Sequence, residues 1–406
     1  MRGLSPLIQA RRSTRSTLLG RATTEAAATP ASAQVPIPPL VVPLARGLYQ
    51  NNGASPWYTS ALMGTPGQSL KIALDTGASF IWVTSSLCPP CSCQHSSGGR
   101  FVYQDSSSFQ WVDSDPKKVS FGPWGSMWVE SGIDQVKIAS GAPVPLEMYL
   151  SSEYSGPQFA QLDWDGGIGI PSGSDYADPS TAFSIAQFMT DGLMDPNLPY
   201  VSFGTDAASR TGSVIFGGFD AEAIDPYSGI FMPWTPYTAI AQVKFIWTTP
   251  LASYSIGSYQ TTNVQFCLDS GSSQFKGDDD IMNSTLAQIA LSPGVDLALS
   301  VGSTEDGTQG QIVVPPSVYN VTIEGGPDKG DTLPQFNPLG LTDLVLVGSV
   351  LLDQLYTVYI YDVVDNQGYT LSPVGMVVFN KKNGPALIQT RSKKPMTIGS
   401  RLVHRA

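Results

Sequence analysis

The chain has 406 residues, 42% of them hydrophobic and 14% charged, and a net charge of −11. It is long enough to bury a large core and to divide into two lobes. Residues 1–46 hold six Lys/Arg and one acid, and residues 376–406 hold seven and none. That leaves nine basic against 32 acidic residues between them, a body that repels nucleic acid and excludes it as an expected partner.

Residues 1–36 are rich in Ala, Ser, Thr and Arg, and 37–45 is a short apolar stretch broken by prolines, unlike the core of a signal peptide. A transit peptide and the remnant of a pro-segment both fit, and 1–46 is expected to be a poorly ordered leader or pro-segment. Short alternating apolar runs follow, separated by turn residues that include many of the 40 Gly and 32 Pro, and they predict a mostly β fold. One run, Leu70, Ile72, Ala73 and Leu74, ends at Asp75-Thr76-Gly77-Ala78-Ser79. Much later Val264, Phe266, Cys267 and Leu268 end at Asp269-Ser270-Gly271-Ser272-Ser273.

Each copy predicts a strand that finishes by presenting a carboxylate, and the repeat predicts a duplicated domain whose copies meet face to face. One tripeptide alone would be an ordinary turn. Two with matching apolar lead-ins point to a two-carboxylate site around a shared water. Two close carboxyls cannot both ionise cheaply, so one keeps a proton and the other is charged. The charged one can deprotonate the water while the protonated one donates to a carbonyl oxygen. Thr76 and Ser270 would hold the two side chains through their hydroxyls, with Gly77 and Gly271 allowing close backbone approach.

Short helices are predicted near residues 181–189 and 284–290, the second behind an Asn283 cap. The run Asp278-Asp279-Asp280 lacks the alternating spacing of a calcium loop and reads as a solvated turn. The only histidines, His95 and His404, lie in a Cys-rich loop and in the tail, which argues against a Ser-His-Asp or Cys-His triad and against a zinc centre; no metal or other cofactor is expected. Cys267, two residues before Asp269, reads as a buried core thiol. Asn283 and Asn320 open glycosylation sequons, which matter only in the secretory pathway. The apolar run 344–352 stops at Asp353 as a core strand would, and no stretch reaches about 18 uninterrupted apolar residues, so no membrane span is expected.

From Tyr58 to Pro373 the chain resembles the pepsin-like aspartic proteases. Tyr58-Thr59 and Gly64-Thr65-Pro66-Gly67-Gln68 are similar to the family's opening strand and turn, and Asp75-Thr76-Gly77 with Ile81-Trp82-Val83 to its first catalytic strand and the tryptophan beneath the flap. Asp165-Gly166-Gly167-Ile168-Gly169-Ile170, Phe216-Gly217-Gly218-Phe219-Asp220, Gly229–Trp234, and Val345–Gly348 followed by Tyr356, Val358 and Tyr359 resemble later segments in the family's order. The resemblance implies a bilobal fold, with an N-terminal lobe over 47–235, a C-terminal lobe over 236–375 and a basic tail over 376–406. It implies catalysis by Asp75 and Asp269 on a polypeptide substrate, a monomer, a secreted or vacuolar location, and a small disulfide loop from Cys88 to Cys93. A metal knuckle of Cys88, Cys91, Cys93 and His95 is the other reading of that loop, and Cys91 has no evident partner.

The flap region 119–127 departs from the family's pattern. Phe121 stands in the place of a tyrosine, with one extra residue before Gly125. Phe121, Gly122, Trp124, Gly125, Ser126 and Ile168 are the candidate flap and subsite residues, and apolar linings there imply a preference for bulky apolar side chains. Ala78 stands where a serine hydroxyl commonly supports the first aspartate. Losing that bond to the charged form predicts an optimum less acidic than is typical of the family. Ser349 replaces an aspartate often found after the closing-strand glycine. Two functions stay open from the sequence: an endopeptidase using Asp75, Asp269 and a water, or a catalytically weak or inactive member acting as a binding or inhibitor protein.

Overall fold

The computed structural model describes residues 36–89, 92–121, 125–173, 184–240, 243–365 and 369–399. From Ile37 onward these form one compact unit, and it is mostly β. The first half contains β2 (Trp57–Met63), β3 (Gln68–Asp75), β4 (Ile81–Thr84), β5 (Gln110–Ser120), β6 (Ser126–Ile138), β7 (Val144–Ser155) and β8 (Gly166–Gly169). Alternation along β3 points Leu70 and Ile72 into the core, both 3% exposed or less.

Two small constellations make the duplication visible. β3 pairs in parallel with β8, placing Asp75 beside Gly169, and β4 returns antiparallel to the other edge of β8. In the second half the strand Val264–Leu268 pairs in parallel with Leu344–Val347, and Phe275–Gly277 returns antiparallel on that strand's other edge. Each half thus delivers an aspartate from the end of a central strand flanked by the same pair of directions.

An antiparallel sheet joins the halves. Its order is β1 (Leu40–Arg46), β10 (Thr211–Phe216), β9 (Tyr200–Asp206), then Leu355–Asp365, Thr370–Asn380 and Ile230–Pro233. Two expectations about the chain ends change here. Leu40–Arg46, placed by sequence in a poorly ordered leader, is a strand whose Leu40, Val42 and Leu44 are buried. The basic tail likewise begins inside the strand Thr370–Asn380, and Leu387, Ile388, Met396 and Ile398 are buried beyond it. In both stretches the apolar alternation outweighs the basic composition.

The helix expected at 284–290 runs from Asp279 to Leu291. Asp278, not Asn283, is its cap, accepting the N–H groups of Asp280 and Ile281. The run of three aspartates is therefore the cap and first turn, where negative charge favours the helix. The other helix is described over Ser184–Thr190; residues 181–183 of the expected span lie outside the described residues. No described helix is long and apolar enough to cross a membrane.

Candidate active site

Asp75 and Asp269 sit at the ends of their strands, each bent into a tight turn by its own side chain. Gly77 N–H donates to Asp75 Oδ1 at 2.8 Å, and Gly271 N–H donates to Asp269 Oδ1 at 2.9 Å. Both glycines are needed for the approach. A Cβ at Gly77 would lie 2.4 Å from Asp269 Oδ1, and one at Gly271 would lie 2.2 Å from Asp75 Cγ. The two carboxyls therefore face each other across the two turns.

The following hydroxyls lock the turns together from behind. Thr76 Oγ1 donates to Leu268 O at 3.1 Å and accepts Ser270 N–H at 2.9 Å. Ser270 Oγ donates to Leu74 O at 2.7 Å and accepts Thr76 N–H at 3.0 Å. Four bonds related by the duplication thus satisfy buried backbone groups of the opposite half, which fixes the carboxyl separation.

Burial, then the charge of Asp269, push the Asp75 carboxyl well above the ordinary value of 3.8, against the pull of the Gly77 N–H. Asp269 is 7% exposed and accepts a further bond at 2.6 Å from Ser272 Oγ. Ala78, at the matching place beside Asp75, has no hydroxyl to give. Lys276, two residues past Gln274, was not among the candidates. Its side chain lies behind Asp269 and donates to Ser272 Oγ at 3.1 Å and to Gly53 O at 2.5 Å. Burial pushes the ammonium down to about 8, against the attraction of Asp269 and Asp75. A lysine in a strand next to a turn reads from sequence as exposed; only the packing of residues 47–56 over it makes it internal.

The hairpin expected to be the flap is formed by β5 and β6, closed where Phe121 N–H donates to Gly125 O at 2.8 Å. Gly125 has φ +133°, and a Cβ there would meet Ser155 O at 2.3 Å. Ser126 opens β6 and is buried. Gly122 and Trp124 lie outside the described residues. Phe121 packs edge-on against Phe80, Trp82 and Phe159, with ring centroids 5.6, 6.1 and 5.7 Å apart. Aromatic contacts thus hold the residue that stands in the place of the family's tyrosine.

One subsite candidate is overturned. Ile168 is 0% exposed and packs in the core, paired with Leu74 and Ile81, so it cannot line a cleft. Strand alternation turns its neighbour Gly167 toward Trp82 instead.

Cys88 and Cys93 form a disulfide, which removes both from any metal knuckle; Cys91 lies outside the described residues. Cys267 is a free, fully buried thiol, held protonated by burial and by the charge of Asp269. No group of three or more described His, Cys, Asp or Glu is placed to hold a metal ion. His95 is more rigidly placed than its Cys-rich loop suggests. Its Nε2 lies 2.8 Å from Asp165 Oδ1, with both side chains 3% exposed. Asp165 also accepts Lys71 N–H and Gly99 N–H, tying the disulfide loop to β3. Asn283 is exposed on the helix, but its sequon partner Thr285 is fully buried and bonded to Tyr254. Asn320 is half-buried at the start of the short strand Asn320–Thr322.

The family model for eukaryotic aspartyl proteases matches residues 57–370. Gastricsin of Cavia porcellus is 26% identical over 312 residues, which cover 73% of this chain and 75% of that protein. Pepsin A of Bos taurus is 26% identical over 332 residues, 76% of this chain and 82% of that one. Chymosin of Callithrix jacchus is 30% identical over a shorter 235 residues, 56% of this chain and 57% of that protein.

Proposed function

The chain belongs to the eukaryotic aspartyl protease family, and we propose that Asp75 and Asp269 are the catalytic pair with which it cuts polypeptides. It is an aspartic endopeptidase, and its substrates are polypeptides. The observation that carries the residue assignment is the pair of turns that sets two carboxyls face to face inside a four-bond lock.

A water held between the carboxyls is the nucleophile. The charged carboxylate takes its proton as it attacks the scissile carbonyl carbon, and the protonated carboxyl gives its proton to the carbonyl oxygen. Both steps need one shared proton, and the raised Asp75 carboxyl supports that state in acid. An extended substrate strand lies under the flap, and half-buried Phe121, backed by the buried Phe80 and Trp82, favours bulky apolar side chains beside the cut. Secretion or delivery to an acidic compartment suits this chemistry, as do the acidic body and the disulfide. The enzyme works as a monomer without a nucleic-acid partner, in two lobes that divide near residues 235 and 236.

The test is cleavage of an unfolded protein substrate across acidic to neutral pH by the wild type, Asp75→Asn and Asp269→Asn. Each substitution removes general acid–base chemistry and is expected to lower kcat/KM by at least about 10³-fold. Retained activity in either variant would remove that residue from the pair. No cleavage at any pH by the folded wild type would favour the binding or inhibitor protein.

A further inference from the structure

We propose that a cavity behind the aspartate turns is a binding site for one ordered water, which accepts a bond from Ser349 and bridges the Asp353 carboxyl to Ser270 of the lock. The site does not depend on the assignment of the catalytic pair.

Local structure sets the two residues that define it. Ser349 opens the short helix Ser349–Leu352 and Asp353 follows it, with Asp353 N–H donating to Ser349 O at 2.9 Å. Residues four apart share one face of a helical turn, so the two side chains are neighbours. Ser349 N–H donates to Ser272 O at 2.9 Å, which holds this helix against the second aspartate turn. The cavity there is lined by Ser349, Asp353, Thr205, Ser270 and an apolar wall that includes Trp57. It measures about 20 Å³, and about 10–15 Å³ is enough for one water. All of its lining residues except Ser270 are 9% exposed or less.

Donors and acceptors around the cavity match a water. Ser349 Oγ is buried and has no hydrogen-bond partner among the described residues. A buried hydroxyl without a partner is costly, and native interiors rarely leave one so. Its neighbours have capacity to spare. Asp353 takes both of its side-chain bonds on Oδ1, from Trp57 Nε1 at 2.7 Å and from Thr205 Oγ1 at 2.9 Å. Oδ2 is left for the cavity. Ser270 Oγ donates to Leu74 O and accepts Thr76 N–H, which leaves it one lone pair. One water satisfies all three groups: it accepts Ser349 O–H, donates one proton to Asp353 Oδ2 and donates the other to Ser270 Oγ. About three bonds is usual for a buried water.

The bridge has a place in the architecture. Asp353 already joins Trp57 of β2 to Thr205 of β9, and the water extends that joint to the lock. It also outlasts a change of charge. Burial pushes the Asp353 carboxyl above its ordinary value, against the bond from Thr205 and the charge of Lys381, whose ammonium donates to Asp353 O at 2.6 Å. When Oδ2 is protonated it donates to the water's second lone pair, so the bond persists with its direction reversed.

Crystals of the active enzyme test the site directly. High-resolution diffraction is expected to show one water within hydrogen-bond distance of Ser349 Oγ, Asp353 Oδ2 and Ser270 Oγ. The same crystals under xenon pressure should hold no xenon there, because xenon enters dry apolar cavities. Xenon in the cavity, or neither water nor xenon, would overturn the proposal. A water out of reach of Ser270 would overturn the bridge to the lock.

Urea unfolding supplies a sign that a serine without a water would not. With the water bound, Ser349→Ala deletes one of its three bonds, and the midpoint should fall by about 0.2–0.5 M. With an orphaned hydroxyl, the alanine relieves an unsatisfied group, and the midpoint rises or stays where it was. Either of those last results would refute the inference. The diffraction test uses the wild type alone, so it decides the matter even if Ser349→Ala fails to fold.

Discussion

Replacing Thr76 by valine tests the lock beneath the site. Valine keeps the shape of threonine and removes only the hydroxyl, so no cavity opens at this fully buried position. Two backbone groups lose their partners, the N–H of Ser270 and the carbonyl of Leu268. An orphaned buried group costs about 1–3 kcal/mol, so the pair should cost about 2–6 kcal/mol. With a urea dependence of about 3 kcal/mol per molar, the unfolding midpoint should fall by roughly 1 M. Tryptophan fluorescence reads that midpoint. The same substitution loosens the two aspartate-bearing turns, and a misplacement of about 1 Å at reacting groups can cost about 100-fold in rate. Ser270→Ala should match it, because Ser270 makes the mirror-related bonds. Ser60→Ala, which removes only the exposed Ser60–Ser69 contact, should stay within about 0.5 kcal/mol of wild type. A Thr76→Val enzyme with an unchanged midpoint and unchanged kcat would refute the claim that these hydroxyls hold the site.

Asp75→Asn should raise stability while it abolishes cleavage. A carboxyl whose folded pKa lies above its unfolded value binds protons preferentially in the folded state, so its ionisation destabilises the fold as pH rises. The variant should therefore melt higher than wild type near pH 7, with the gain shrinking toward the ordinary value of 3.8 as pH falls; a constant offset at all pH would contradict this. Phe121→Ala removes three aromatic contacts worth about 2–4 kcal/mol together. Steady-state kinetics should show KM rising at least about tenfold, and an unmoved KM would remove the flap role. Cys88→Ser with Cys93→Ser opens a loop of sequence separation 5 and should cost about 2 kcal/mol of stability in urea. Equal midpoints for wild type and variant would show the bridge to be idle.

The aspartate turns were legible because their signal is local: an apolar alternation, a carboxylate, a hydroxyl and a glycine within a few residues, twice. What the sequence concealed depends on distant chain. Lys276 becomes internal only because Gly53, far upstream, lies over it. Ile168 was misassigned because the four residues of β8 are all buried, so no polar alternation marks which side faces the cleft. The helix start was misplaced because three aspartates in a row suggest solvent, whereas the buried positions Ile281, Met282, Thr285 and Ile289 follow a helical stripe from Asp278 onward. The chain ends were misjudged on composition, although Leu40, Val42 and Leu44 alternate as a strand should.

The contact between Gly53 and Lys276 also bears on how this lineage can vary. Gly53 holds φ +82°, and a Cβ there would lie 2.8 Å from the lysine Nζ. A side chain at position 53 therefore excludes an extended lysine at 276, and a short residue at 276 removes that clash while the positive φ still favours glycine at 53. Across homologues the two positions should covary although 223 residues separate them, and the duplicated halves alone could not have produced that correlation. The loop that carries Gly53 comes from outside both aspartate strands. Through it a symmetric pair of turns can diverge into two unlike ones.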